Sequence, residues 1–159
     1  MSRRRPVSQT ELAGRRGRIV AVCTSLNKGT IKKNVGAGTL IEEFGIEGDA
    51  HGGFAHRQVS LIAAEDIETM KAKLPDLVPG SFAENLTTEG FDLSALKIGD
   101  RVTVGGDCLL EVSQIGKECH TKCQVFHLTG DCIMPKKGIF CRVIKGGEVK
   151  VGDEITTAG

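Results

Sequence analysis

The chain lacks the features that mark several large classes of protein. Its 159 residues contain neither tryptophan nor tyrosine, and only six phenylalanines. No run of about 18 apolar residues is present, so the sequence holds no candidate membrane-spanning helix. The formal net charge is +1, and so no overall field selects nucleic acid or an acidic surface as a partner. We therefore expect a globular protein with neither a membrane nor a nucleic acid as its partner.

Glycine is abundant, and the chain alternates between short apolar runs and turns. The 21 glycines are about twice the usual share. One helical pattern covers residues 64–74 and stops at Pro75, which cannot continue a helix. Regularly spaced short strands with one helix predict a mainly β barrel with one or few helices. The strand-like runs are 17–26, 37–49, 59–62, 82–88, 100–106, 108–115, 122–128 and 140–157.

Two local patterns refine this prediction. Gly146 and Gly147 separate two alternating runs, which indicates a β-hairpin. The four-residue pattern Lys-x-Gly-Asp occurs at 97–100 and again at 150–153, each time before a strand. Two copies of such a short pattern do not by themselves indicate a duplication.

The first sixteen residues differ in composition from the rest. Five arginines there face only Glu11, and we interpret residues 1–16 as a flexible basic arm in front of a domain that covers 17–159. A nucleic-acid-binding arm is the alternative, but no stacking aromatic residue supports it. No apolar stretch follows the basic residues, so they do not form a secretory signal, and we expect a cytoplasmic protein.

Six cysteines are present, and in a reducing compartment they remain thiols. Cys119 and Cys123 lie among Lys117, His120 and Lys122. Neighbouring cations favour a thiolate, which can act as a nucleophile, a persulfide carrier or a ligand of a soft metal. The alternative is that both thiols are partly buried and have no role. Three other cysteines lie in apolar runs and are predicted to be core thiols: Cys23, Cys108 and Cys141.

Two further segments carry polar residues with potential chemistry. Asp49 and His51 lie in a glycine-rich stretch followed by Arg57, and a histidine beside an arginine could bind an oxyanion. The alternative is a turn in which Asp49 caps backbone amides. Asn85 lies at the centre of residues 82–88, where its amide can donate or accept. The alternative there is a strand end bonded to local backbone.

Taken in order, these segments resemble the MOSC domain, the C-terminal domain of molybdenum-cofactor sulfurases, which also occurs as small stand-alone proteins. G-D-x-H followed by R-x-V-x-L matches residues 48–51 and 57–61. F-x-E-N-L-T-T matches residues 82–88. I-G-D, a strand and L-E-V-S-Q match residues 98–100 and 110–114. The similarity covers about residues 17–156.

The resemblance implies a MOSC-like β-barrel with a role in handling sulfur or molybdenum cofactor (molybdopterin). The family's cysteine often stands in P-R-x-P-C, and counting from Gln114 assigns it to Cys119. Both prolines and the arginine are missing here, and Cys123 after Lys122 matches another form of the motif. Cys119 would be the metal ligand or sulfur carrier. The implied cofactor-binding residues are Asp49, His51, Arg57, Asn85 and Lys117.

The resemblance also implies partners and leaves alternatives. In sulfurases, pyridoxal phosphate belongs to a separate desulfurase domain, so a cysteine desulfurase partner is implied if this chain transfers sulfur. Proteins of molybdenum-cofactor biosynthesis are the other expected partners. One alternative function is a non-catalytic adaptor in cofactor assembly. Another is a reductase of N-hydroxylated compounds, although the larger relatives of that kind carry an additional N-terminal β-barrel domain.

Overall fold

A computed structural model describes residues 16–26, 31–50, 53, 58–72, 75–82, 84–116 and 138–158. Residues 1–15 of the predicted arm and the predicted strand 122–128 lie outside these ranges. The first strand begins at Arg16, the last residue of that predicted arm. The arm therefore stays a prediction.

The described residues form eleven strands and two short helices. The strands are β1 (Arg16–Thr24), β2 (Lys33–Asn34), β3 (Ala37–Ile41), β4 (Gly45–Ile46), β5 (Val59–Ala63), β6 (Leu86–Glu89), β7 (Arg101–Val104), β8 (Cys108–Ile115), β9 (Ile139–Lys145), β10 (Gly147–Lys150) and β11 (Glu154–Ala158). The helices are α1 (Ala64–Met70) and a 3₁₀ helix (Leu93–Ala95).

Seven of the strands close into a barrel, which confirms the predicted mainly β architecture. Their order is β1, β6, β5, β9, β8, β7 and β11, and β11 pairs back with β1. Neighbours are antiparallel except for β5 and β6, which are parallel. Alternate residues point inwards: in β8, Cys108, Leu110 and Val112 are buried, whereas the residues between them are partly exposed. The alternation that predicted strands thus also produces the apolar interior.

A second sheet of three strands, in the order β10, β3 and β4, lies beside the barrel. The predicted hairpin at Gly146 and Gly147 was wrong, because β9 pairs with β5 and β8 whereas β10 pairs with β3. A Cβ on Gly146 would lie 2.3 Å from the carbonyl oxygen of Leu40. Close approach to the second sheet therefore requires glycine, and the chain crosses between sheets instead of turning back.

Helix α1 begins at Ala64 as predicted but ends at Met70 rather than at residue 74. The Lys71 amide donates to the carbonyl oxygens of both Ile67 and Glu68, which tightens and closes the last turn. Only Ile67 among the helix residues is buried. A helix with so little buried surface gains little from a further turn. No helix in the described part of the chain is long and apolar enough to cross a membrane.

The two Lys-x-Gly-Asp segments form the same turn. In residues 97–100 the Asp100 carboxylate accepts the Lys97 amide at 2.9 Å, and in residues 150–153 Asp153 accepts the Lys150 amide at 2.9 Å. The glycine has a φ of +96° in the first turn and +97° in the second. Both turns therefore depend on a left-handed glycine at the same position.

These turns are related by a local two-fold axis between β7 and β11. The first turn exchanges two backbone hydrogen bonds with Val112 of β8, and the second exchanges the equivalent two with Ile19 of β1. Between the turns, Thr103 and Thr156 pair across β7 and β11 with their hydroxyls 2.6 Å apart. A pattern too short to interpret in the sequence thus marks a repeated strand arrangement in the barrel.

Candidate functional site

A buried ion pair lies where β1 ends. The ammonium of Lys32 is 2.7 Å from a carboxylate oxygen of Asp49, and both side chains are fully buried. Lys32 also donates to the Ser25 hydroxyl at 3.1 Å. The Ser25 amide donates to the same Asp49 oxygen at 3.0 Å, and the Ala50 amide donates to the Ser25 carbonyl. The start of the glycine-rich segment is therefore fixed against the end of β1.

The surroundings of Asp49 favour its charged form. Burial by itself raises the pKa of Asp49. The hydrogen bond and charge of Lys32, the Ser25 amide and the Asn85 side chain outweigh burial and hold this pKa below its ordinary value. Asp49 is therefore a carboxylate at neutral pH, and its pair with Lys32 has no net charge. The alternative prediction for Asp49 was that it caps backbone amides. Its hydrogen bond from the Ser25 amide is a contact of that kind.

Asn85 joins three strands just before β6 begins. Its side-chain oxygen accepts from the Ser60 amide at 3.0 Å and lies 3.2 Å from the Ser60 hydroxyl, and its NH₂ group donates to the Cys23 carbonyl at 3.1 Å. It also hydrogen-bonds Asp49. Cys23 and Ser60 are 62 and 25 residues away in the chain, so this side chain is not bonded to local backbone alone. Asn85 is therefore a cross-link that fixes β1, β5 and Asp49 together.

Glu84 is fully buried beside Asn85, and no cation lies within hydrogen-bonding distance of it among the described residues. Its carboxyl group accepts from the Gly80 amide at 2.9 Å, the Phe82 amide at 3.3 Å and the Thr87 hydroxyl at 3.0 Å. Burial raises the pKa of Glu84 in spite of these donors. The Gly80 carbonyl in turn accepts the Lys32 amide at 2.9 Å, so Glu84 is linked to the ion pair through one residue.

Strand β8, which precedes Cys119 in the sequence, ends near the same cluster. Gln114 of β8 pairs with Phe140 of β9, and Phe140 pairs with Ser60 of β5. Neighbouring strands lie about 4.8 Å apart, so the Gln114 backbone is roughly 10 Å from that of Ser60. The five residues from Gln114 to Cys119 can span at most about 17 Å. All three predicted segments therefore start from one connected group of strand ends.

The structure brings together two of the predicted site residues, Asp49 and Asn85. The other five lie outside the described residues, and their roles stay predictions: His51, Arg57, Lys117, Cys119 and Cys123. The three predicted core thiols, Cys23, Cys108 and Cys141, are confirmed as buried and free. Burial, together with nearby carboxylates, raises the pKa of Cys23 and of Cys141 to about 12. These two thiols are therefore protonated at neutral pH and are poor nucleophiles.

Sequence reasoning missed Lys32, the buried cation of the cluster. It precedes Lys33, whose side chain is exposed in β2, and the two lysines have no sequence feature that distinguishes them. Alternation along an extended chain would put them on opposite faces, but which face is buried depends on Asp49, 17 residues away. No signal within the segment itself could have identified this pair.

The charged and amide groups of the cluster bond to other groups of the protein. Its cation is neutralised by Asp49, and the Asn85 side chain bonds within the protein. No group of three or more His, Cys, Asp or Glu side chains in the described ranges could hold a metal.

The protein is a closed, seven-stranded β-barrel with a buried polar cluster at its strand ends. The sequence profile of the MOSC domain matches residues 47–156, and the chain belongs to the MOSC domain family. This family is associated with molybdenum-cofactor systems. The expected resemblance is thereby confirmed. No curated protein matches the chain significantly.

Solved structures agree on the fold. The YuaD protein from Bacillus subtilis has 22% sequence identity and a TM-score of 0.74, with 88% of this chain and 94% of that chain covered. YiiM from Escherichia coli has 22% identity and a TM-score of 0.65, with 91% and 70% covered. A hypothetical protein has 24% identity and a TM-score of 0.70, with 96% and 72% covered. At these identities the similarity establishes a shared architecture.

Proposed function

We propose that this chain binds molybdenum cofactor, or handles sulfur for it, through a reactive cysteine at position 119 or 123. The proposal is supported most directly by the connected side chains of Asp49, Asn85 and Ser60, from which the three motif-bearing segments extend. Membership of a family associated with molybdenum-cofactor systems supports the choice of ligand.

The residues of the chain would have two roles: some would support the site, and others would contact the ligand directly. Asp49 and Asn85 hold the strand ends that carry the three segments, because their hydrogen bonds cross between strands. His51, Arg57 and Lys117 would donate hydrogen bonds to the anionic groups of the ligand. When bound, the cofactor would supply a phosphate for those donors and an oxo-molybdenum centre that accepts a thiolate ligand.

The thiol has two possible tasks, and both need the thiolate. It could ligate molybdenum directly. It could instead attack the outer sulfur of a persulfide on a donor protein, so that the donor's S–S bond breaks and the donor leaves as a thiolate. The cysteine then carries the sulfur and its proton as a new persulfide. A pyridoxal-phosphate-dependent cysteine desulfurase in the cytoplasm is the proposed donor.

Cofactor content tests the proposal. The full chain would be purified from a host that makes molybdenum cofactor, and bound pterin and molybdenum would be measured by mass spectrometry and elemental analysis. We expect both in the wild type, and a loss of molybdenum in Cys119→Ala or Cys123→Ala. Cys108→Ala, at a buried thiol, is the matched control and should retain both. Absence of pterin and molybdenum from the wild type would favour the adaptor function instead.

Timed alkylation identifies the functional thiol without the cofactor. Cys119 should be labelled first at neutral pH, because Lys117, His120 and Lys122 are close in sequence and favour its thiolate. The buried thiols of Cys23 and Cys141 serve as internal slow references. If Cys123 reacts before Cys119, the role belongs to Cys123. Equal labelling of both at the rate of the buried thiols would remove the thiolate chemistry.

A further inference from the structure

The turn between β3 and β4 contains a strained residue. Glu43 has a φ of +54°, and among the described residues it is the one non-glycine residue with a positive φ. This left-handed conformation crowds a Cβ against the backbone, so it persists only where other contacts hold it. Such positions occur often at functional sites.

Glu43 is held by β9 and by the residue that precedes β5. The guanidinium of Arg142 bonds both carboxylate oxygens, with Nε 3.1 Å from Oε2. The amide of Glu43 donates to the Val143 carbonyl at 2.9 Å. Gln58 bridges the two sides: its NH₂ group lies 3.4 Å from the Glu43 carboxylate, and its side-chain oxygen accepts the Val143 amide at 3.0 Å. The strained turn is thus tied to β9 by side-chain and backbone bonds.

The same turn and the start of β4 contact Gly53 and Gln58. At one end, the Gly53 amide donates to the Phe44 carbonyl at 2.7 Å, and a Cβ on Gly53 would lie 3.4 Å from the Phe44 ring. At the other end, Gly45 approaches Gln58 so closely that a Cβ would lie 2.4 Å from the Gln58 carbonyl oxygen. The turn and the start of β4 therefore contact the two described residues that flank residues 54–57 in the sequence.

We propose that Glu43 and Arg142 are positioning residues for Gly53 and Gln58, and that they thereby constrain the chain between these two residues, which includes Arg57. Their bidentate pair fixes the strained turn, and the turn fixes Gly53 and Gln58 on either side of the segment. The effect on ligand binding rests on the proposed function, in which Arg57 donates to an anionic group. The effect on the segment itself does not.

A second exposed pair supplies the matched comparison. Arg18 also bonds one glutamate, Glu89, through both its Nε and an Nη nitrogen. This pair joins β1 to β6, which already pair through their backbones. The side chains of Arg18 and Arg142 are exposed to 64% and 40%. Removal of Arg18 therefore deletes a similar ion pair without touching the Glu43 turn.

Hydrogen exchange in the full chain, followed by mass spectrometry, tests the positioning role. In Arg142→Ala we expect amides of residues 53–58 to exchange about tenfold faster, because local opening is easier when fewer contacts hold a segment. Arg18→Ala should leave these amides unchanged. Glu43→Gly removes the carboxylate and also the strain, so it separates the two causes. If the ion pair is what matters, Glu43→Gly will behave like Arg142→Ala.

Rescue and cofactor content complete the test. The charge-swapped double variant Glu43→Arg with Arg142→Glu should restore slow exchange, which a general loss of stability would not allow. Bound pterin per protein should be about fivefold lower in Arg142→Ala than in Arg18→Ala, a difference of roughly 1 kcal/mol in binding. Unchanged exchange in Arg142→Ala, or an equal change in Arg18→Ala, would overturn the proposal. A wild type without pterin would refute the proposed function, while the exchange rates still decide the positioning role.

Discussion

Two groups of ionisable side chains in this protein obey different rules. The buried charged cluster consists of Lys32, Asp49 and Glu84, all of them excluded from water. The exposed ion-pair chain runs across the outside of neighbouring strands through Arg101, Glu111, Arg142 and Glu43. The exposed chain has more ion pairs, but the buried cluster has the larger consequences for stability.

The difference follows from solvation. An exposed pair gains little, since water and salt already stabilise and screen its charges. A buried charge has lost that solvation and depends on its partner, so removal of one partner leaves the other without compensation. The cluster therefore ties stability to the residues that support the proposed site. The exposed chain can vary at little cost except at Glu43, where it holds a strained turn.

Removal of the buried cation is expected to have the largest effect. Lys32→Ala should lower the free energy of unfolding by about 3–5 kcal/mol, because the buried Asp49 carboxylate would lose the cation that lies 2.7 Å from it. Urea denaturation followed by circular dichroism measures this. Lys33→Ala, at the exposed neighbour in β2, is the control and should stay within about 0.5 kcal/mol of wild type. Similar losses in both variants would contradict the buried pair.

Glu84 should give the buried cluster a pH dependence of its own. Its pKa in the folded protein is raised, so its contribution to stability is fully present below its unfolded pKa of about 4.3 and is lost as the pH rises through the folded pKa. Glutamine does not titrate. The stability of Glu84→Gln relative to wild type should therefore improve as the pH rises from 4 towards 8. A difference independent of pH would mean that Glu84 titrates normally in the fold.

Two adjacent threonines of β6 test how much the stability of the protein depends on whether a buried polar group is hydrogen-bonded. The Thr87 hydroxyl donates to Glu84, whereas the buried Thr88 hydroxyl has no hydrogen-bond partner among the described residues. Thr87→Val should cost about 1–3 kcal/mol, because it takes a donor from a buried carboxyl. Thr88→Val removes an unsatisfied group of nearly the same shape and should be neutral or stabilising by about 1 kcal/mol. Thermal unfolding of both variants should rank them in this order, and the reverse order would contradict this assignment.

The smallest effect is expected in the exposed chain away from Glu43. Arg101→Ala removes a contact of 3.0 Å to Glu111, yet the stability change should be under about 1 kcal/mol. Salt already screens the wild-type pair, so the difference should shrink further at 1 M sodium chloride. A loss as large as that of Lys32→Ala would erase the distinction between the two groups.

Local sequence patterns predicted the barrel well. Apolar alternation in β8 and β9 marks strands because successive side chains point to opposite faces, whatever the partner strand is. The predictions were wrong where a segment could pair or pack with more than one part of the chain. Gly146 and Gly147 fit a hairpin equally well, but β10 pairs with β3 on the second sheet. The end of α1 at Met70 likewise depended on how much of the helix could be buried.

The candidate site was predicted only in part, for a related reason. Asp49 and Asn85 were identified through motifs, while their hydrogen bonds to each other and to Lys32 were not foreseen. Lys32 looks like any surface lysine, and Glu43 looks like any acidic turn residue. Both acquire their importance from residues elsewhere in the chain.

By itself the sequence determined the strands, the glycine turns, the start of the helix and the family resemblance, because each depends on residues within a few positions of one another. The tertiary structure decided which charges are buried and which segments meet. Lys32 and Asp49 are 17 residues apart, Cys23 and Asn85 are 62 apart, and Glu43 and Arg142 are 99 apart. Contacts over such separations form only when the barrel closes, and closure depends on the packing of all its strands at once.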